Sequence, residues 1–517
     1  MRKSESVLKE KTKKQEATTT VGLIKFFIIF FLTSMLICVI LAAMSGGESW
    51  KLQLFHSNGY SDMFMDFFNS MRDAGDENVY TARNNIYPPL CLLLFKFFGA
   101  FVSEELIDLP NTKRITLQYD QNCMIVYFIF AIMCILLMTS FINKYVNDIN
   151  KDNNKKTVSS HTLISFMLVI SYPVMYCIER GNIIILSVIM TMFFIFFRDS
   201  ESKIVKELSY IALAFAAGIK LYPAIFGILL LIEKKYKDAI RLIIYGVIFV
   251  IFPFVFFMDL DSSALSISSQ SVAAAISSSH TSAIAVENSS PIASILENLI
   301  SFATKKKNSL NFSSVSIQNF VFLFERDNTT LAQIVGIITE FIAVAALLFA
   351  KKTWQKVFLV TYLMLNIPSA SSSYSLAFLI IPFIMFLYDD KGNGYLSTNR
   401  PKTDWAYIIS FALLFTPIPM FWYYYQNQAQ EIFSSIGVPY QTRVNQLIGV
   451  FVFQFMFIFM VVEIFGKLAK NKIKTEKVSN TSSVTEETAP VSENSDQIII
   501  NSANSENENN SDNEELQ

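Results

Sequence analysis

Charge is scarce in this chain: 16% of its 517 residues are Asp, Glu, Lys or Arg, while 52% are hydrophobic and 48 are Phe. That balance excludes the string of soluble domains, roughly 100 to 200 residues each, into which a chain of this length would otherwise divide. Neither sign of charge dominates. Against 42 basic side chains stand 43 acidic ones, a formal net charge of −1, and no nucleic-acid partner is expected. Histidine is nearly absent, with His56, His161 and His280 alone and none beside an evident partner. Cys38, Cys91, Cys123, Cys134 and Cys177 lie in or beside apolar segments without metal-type spacing. They read as small buried hydrophobes and say nothing firm about redox compartment. No metal and no resident cofactor is expected.

What the chain does have is apolar runs, recurring from Thr20 to Phe465 and long enough to cross a hydrocarbon core of about 30 Å. The first, Val21 to Met44, follows a Lys-rich leader and is too long for a cleaved signal, so it reads as an uncleaved first helix with the leader in the cytoplasm. The expected fold is an all-α, multi-pass membrane protein of about twelve crossings, with one membrane domain over 21–466 between a basic leader (1–20) and a tail (467–517). The expected spans are 21–43, 122–143, 158–177, 182–197, 204–218, 222–233, 237–257, 331–350, 355–367, 374–388, 405–424 and 447–466. With this assignment every short basic connection is cytoplasmic, both termini are cytoplasmic, and only Lys305-Lys306-Lys307, inside a long loop, falls outside.

Two choices set the parity. Pro88–Val102 is kept at the outer surface as a juxtamembrane or re-entrant element. Leu208–Ile232 is split at Gly218-Ile219-Lys220, because one continuous helix would bury Lys220 at its centre for about 3 kcal/mol on the insertion scale. Outer loops of about 45–121 and 259–330 remain, the second with room for interfacial or re-entrant helices, and the Ser/Asn/Glu-rich stretch after Lys474 is expected to be disordered.

In the first loop, Ser61 is a candidate N-cap for a helix beginning at Asp62. Met63, Phe64, Phe67, Phe68 and Met71 form its apolar stripe, with Asp62, Asp66, Asn69 and Asp73 opposite, the pattern of a helix lying in the membrane plane. Pattern alone favours a solvated face over a site there. Tyr80, Arg83 and Tyr87-Pro88-Pro89-Leu90 lead back to the membrane through an extended double proline, by itself a structural turn. Glu179-Arg180-Gly181-Asn182 and Lys220-Leu221-Tyr222-Pro223 fall at the outer ends of the fourth and sixth crossings, which places both cations at helix N-termini. A cation there is locally unfavourable unless an anion binds beside it. Snorkelling for Lys220 and a salt bridge to Glu179 for Arg180 fit the pattern equally well.

The ordered set of an outer-loop Asp, Tyr-Pro-Pro, Arg-Gly-Asn and Lys-Leu-Tyr-Pro resembles glycosyltransferase family 87, over roughly Thr20 to Phe465. That resemblance implies a C-type fold with outer juxtamembrane helices and transfer from a polyprenyl-phosphate sugar, as in bacterial mannosyltransferases. The family pattern Asp-Leu-x-Val-Tyr meets Asp62-Met63-Phe64-Met65-Asp66 at its first position, and Asp66 replaces its terminal aromatic, so Asp62 is the first candidate base and Asp66 the second. Arg180, Lys220, Tyr222 and His280 become candidate phosphate ligands; Arg83, Tyr87, Asn182, Asn288 and Tyr374 become pocket candidates. The expected partners are the bilayer, the lipid-phosphate donor and a glycan or glycolipid acceptor; the expected site is on the outer face of the cell membrane. A lipid-linked glycan flippase or transporter would spread ionisable residues through the membrane depth and show inverted repeats, and neither is seen. A glycan polymerase or ligase is the third reading.

Overall fold

The computed structural model describes residues 24–41, 43–44, 63–75, 79, 87–107, 116–151, 158–257, 315–322, 329–367, 372–388, 403–418 and 444–485. Among the described residues all regular structure is helical, as a chain buried in lipid must satisfy its backbone groups within each segment. Contacts divide the chain into two units, Met1–Phe465 and Gly466–Gln517. In the second unit the described residues are helical to Thr485.

Among the described residues, four helices are long and apolar enough to cross a membrane: Ile24–Leu41, Gln121–Ile149, Leu331–Phe349 and Ile448–Lys470. A fifth span forms if the bent pair Thr162–Val169 and Tyr172–Arg180 counts as one. Several expected crossings are instead shorter apolar helices, among them Ile184–Phe197, Tyr222–Ile232, Ser373–Tyr388 and Asp404–Phe415.

Local chemistry explains the interruptions. We label Met65–Gly75 α1, Pro89–Gly99 α2, Gln121–Lys151 α3, Val158–Val169 α4, Tyr172–Arg180 α5, Ile184–Phe197 α6, Lys203–Ile219 α7 and Tyr236–Gly246 α8. Pro173 begins α5: it lacks the N–H that would bond Val169 and its ring crowds that carbonyl, so α4 and α5 meet at 45°. The expected single span over 158–177 is therefore bent. Pro88, extended at φ −59° and ψ 153°, caps α2 ahead of Pro89, as the double proline suggested.

The chain also reverses at Lys220, which leaves the helical region at φ −140° and ψ 120° between α7 and the 3-10 turn Tyr222–Gly227. Arg198, at the end of α6, reaches Glu233 at 2.5 Å, and Lys206 near the start of α7 reaches Asp238 at 2.9 Å. The loops before α7 and before α8 thus share one end of the bundle. A continuous helix over Leu208–Ile232 would hold them apart. The Asn182 end of α6 lies about 20 Å away, the length of its 14 residues.

The apolar stripe of α1 faces protein rather than bilayer. The Phe67 ring lies 5.3 to 5.4 Å from those of Phe95, Phe98, Tyr127 and Phe130, and Phe67, Phe68 and Met71 are fully buried. Aromatic side chains of α2 and α3 offer denser contact than lipid tails. The helix begins at Met65, three residues later than expected.

Candidate active site

The site is built where the start of α1 meets the turn between α5 and α6. Gly181 ends α5 in the left-handed region at φ +66°, and the backbone N–H groups of Gly181 and Asn182 donate to Ile178 and Cys177 carbonyls at 2.9 Å each. That is the Schellman pattern, for which glycine is the unstrained residue. Phe64 presses against the turn. Its own φ is +59°, unusual for an aromatic residue, and its N–H donates to the Glu179 carbonyl at 2.8 Å. The Phe64 carbonyl starts α1 by accepting from Phe67 and Phe68 at 3.0 and 3.2 Å. Tyr127 fastens α5 from α3, its hydroxyl donating to the Ile178 carbonyl.

This docking aims Asp66, in the first turn of α1, at the same turn. Arg180 Nη2 lies 2.5 Å from Asp66 Oδ1, and Asn182 Nδ2 donates to Oδ2 at 2.8 Å. Asn182 works at both ends, because its Oδ1 accepts the Ile184 N–H at 3.0 Å and so caps α6. Both carboxylate oxygens are held, which fixes the plane of the group.

Lys220 comes to the same place from α7. Its Nζ stands 4.0 Å from the centroid of the Tyr87 ring, a cation–π contact, and Asp66 and Cys91 are within electrostatic reach. Among the described residues no carboxylate or carbonyl takes its ammonium. Tyr87 in turn hydrogen-bonds Ser70, and Ser70 Oγ donates to the Asp66 carbonyl at 2.6 Å. Burial first, and the Asp66 charge second, push the Tyr87 hydroxyl well above its ordinary value, so it stays protonated and can donate. Tyr374 lies within electrostatic reach of Asp66 and Arg180, its ring 5.6 Å from Tyr176, and Tyr222 lies near Tyr374 with its ring 6.2 Å from Phe378. Tyr87, Lys220, Tyr222 and Tyr374 are all partly buried.

Two expectations change here. Arg180 pairs with Asp66 rather than Glu179, and it sits at the last residue of α5, not at a helix N-terminus. Lys220 likewise follows the C-terminus of α7. A cation suits that end of the helix dipole, so no bound anion is needed to explain either position. Of the sequence candidates, the fold brings Asp66, Tyr87, Arg180, Asn182, Lys220, Tyr222 and Tyr374 together, while Asp62, Arg83, His280 and Asn288 lie outside the described residues. Ser70, Cys91 and Tyr176 were not foreseen: Ser70 and Cys91 fall on helical faces that carry no motif, and Tyr176 precedes Arg-Gly-Asn by one turn. Among the described residues no three His, Cys, Asp or Glu side chains are arranged to hold a metal ion.

Among the described residues the architecture is all-helical, with helices long and apolar enough to cross a membrane and a polar, tyrosine-rich cluster around Asp66. Residues 85–293 match the model of glycosyltransferase family 87, the family its motifs resemble. The matched stretch includes Tyr87, Arg180, Asn182, Lys220 and Tyr222; Asp62, Asp66 and Tyr374 fall outside it. No curated protein and no solved structure matches the chain.

Proposed function

We propose that the protein transfers a sugar, mannose or another hexose, from a polyprenyl phosphate to a hydroxyl of a glycan or glycolipid acceptor, with inversion, at the outer face of the cell membrane. In this reading the chain crosses the membrane about twelve times, short and broken helices included, with both termini cytoplasmic. The observation that carries it is the Lys220 ammonium, without an acceptor among the described residues, within electrostatic reach of the oriented carboxylate of Asp66.

The acceptor oxygen attacks the anomeric carbon as that carbon's bond to the phosphate oxygen breaks. Asp66 takes the hydroxyl proton, and polyprenyl phosphate departs as an anion that needs electrostatic holding rather than a proton. Lys220 supplies that charge. Purified protein given radiolabelled polyprenyl-phosphate hexoses is expected to label an acceptor, and Asp66→Ala to slow the transfer by about 10²- to 10⁴-fold. Full activity in Asp66→Ala with loss in Asp62→Ala would move the base to Asp62. Outward movement of the labelled lipid with no acceptor labelled would favour the flippase.

A further inference from the structure

Resting on the transferase reading, we infer that the two cations near Asp66 divide the work: Lys220, and not Arg180, grips the donor phosphate, while Arg180 and Asn182 are positioning residues that orient the Asp66 carboxylate. Their partners differ. Arg180 is committed to Asp66 Oδ1 at 2.5 Å, and the Asn182 amide completes the clamp on Oδ2 at 2.8 Å. Lys220 has an aromatic ring for a neighbour, and a ring leaves the three N–H bonds of an ammonium unspent.

Geometry reinforces the split. Arg180 ends α5 and Asn182 caps α6, so the backbone that carries the clamp is locked by the Gly181 turn and by the Phe64 N–H on Glu179. To bind phosphate through Arg180 the protein would have to break a short charge-assisted pair and release the carboxylate at the moment it is needed. Lys220 has no ion pair among the described residues to break. It stands on an extended residue between two helices, with a flexible four-carbon stem.

The test separates binding from turnover. Lys220→Gln is expected to raise the donor KM about 10- to 100-fold, the loss of one charge-assisted phosphate contact. Arg180→Gln and Asn182→Ala are expected to lower kcat by a similar factor while the donor KM stays within about twofold, and Arg180→Lys to recover part of kcat, because a single cation still reaches one oxygen. Asn182→Ala keeps the ion pair and guards against an Arg180 variant that fails to fold. A second arm measures binding of the sugar-free polyprenyl phosphate, lost in Lys220→Gln and kept in Arg180→Gln. It reports on the division of labour even if no sugar donor is turned over, the outcome that would sink the transferase reading instead. A donor KM, or a polyprenyl-phosphate affinity, that weakens as much in Arg180→Gln as in Lys220→Gln would overturn the inference.

Discussion

Replacing Gly181 with alanine should undo the docking of α1 on the α5–α6 turn. The left-handed conformation of Gly181, at φ +66°, costs a residue with a side chain about 1 to 2 kcal/mol. An added Cβ would also stand 2.7 Å from the Phe64 carbonyl oxygen, 2.9 Å from its Cα and 3.0 Å from its carbonyl carbon, all backbone atoms that cannot swing aside. Overpacking of that kind costs about 1 to 3 kcal/mol, for a sum of about 2 to 5. At 1.4 kcal/mol per decade, even the lower figure shifts the balance of docked and undocked α1 by about 30-fold toward undocked, and Asp66 moves with Phe64, two residues before it. Thermal unfolding in detergent, read beside sugar transfer, is the assay. Gly246→Ala is the control, since a Cβ there meets nothing within 4 Å and the helical backbone accepts it. Equal midpoints and equal rates for Gly181→Ala and Gly246→Ala would refute the contact and the account of the site built on it.

The opposite end of the bundle yields two further expectations. Arg198→Met strips the partly buried Glu233 of its 2.5 Å partner and leaves it Lys235 at 2.8 Å, so stability should fall by about 1 to 3 kcal/mol, and Arg198→Met combined with Glu233→Leu should recover most of it in the same unfolding assay. Cysteines at Asp199 and Lys235, whose side chains meet at 2.5 Å, should both react with an impermeant maleimide from the cytoplasmic side. Labelling from opposite sides of the membrane would break the proposed topology.

Much of the site was legible because chain punctuation has physical meaning. A charge within apolar sequence at Gly218-Ile219-Lys220 signalled a break, and the chain does turn back there. The double proline at Pro88-Pro89 signalled an extended entry into a helix, and Pro88 caps one. Arg180 and Asn182 were found by their motif, although which helix end each occupies was not: Gly181 reads as readily as the start of one helix as the end of another, and the Schellman bonds that decide it are tertiary in consequence. The burial of the Phe67 stripe was hidden as well, since a helix apolar on one face looks the same whether that face meets lipid or the rings of Phe95 and Tyr127. The pairing of Asp66 with Arg180 spans 114 residues, beyond the reach of any local pattern. Pro173 and Lys220 cut apolar runs into pieces too short to span alone, so helix length by itself does not count the crossings.

A structure of the full-length protein with a polyprenyl-phosphate sugar bound tests the central claim most directly. The phosphate oxygens are expected about 2.7 to 2.9 Å from Lys220 Nζ, with Asp66 still clamped by Arg180 and Asn182 and facing the anomeric carbon. A donor phosphate seated away from Lys220, or an anomeric carbon beyond the reach of Asp66, would contradict it.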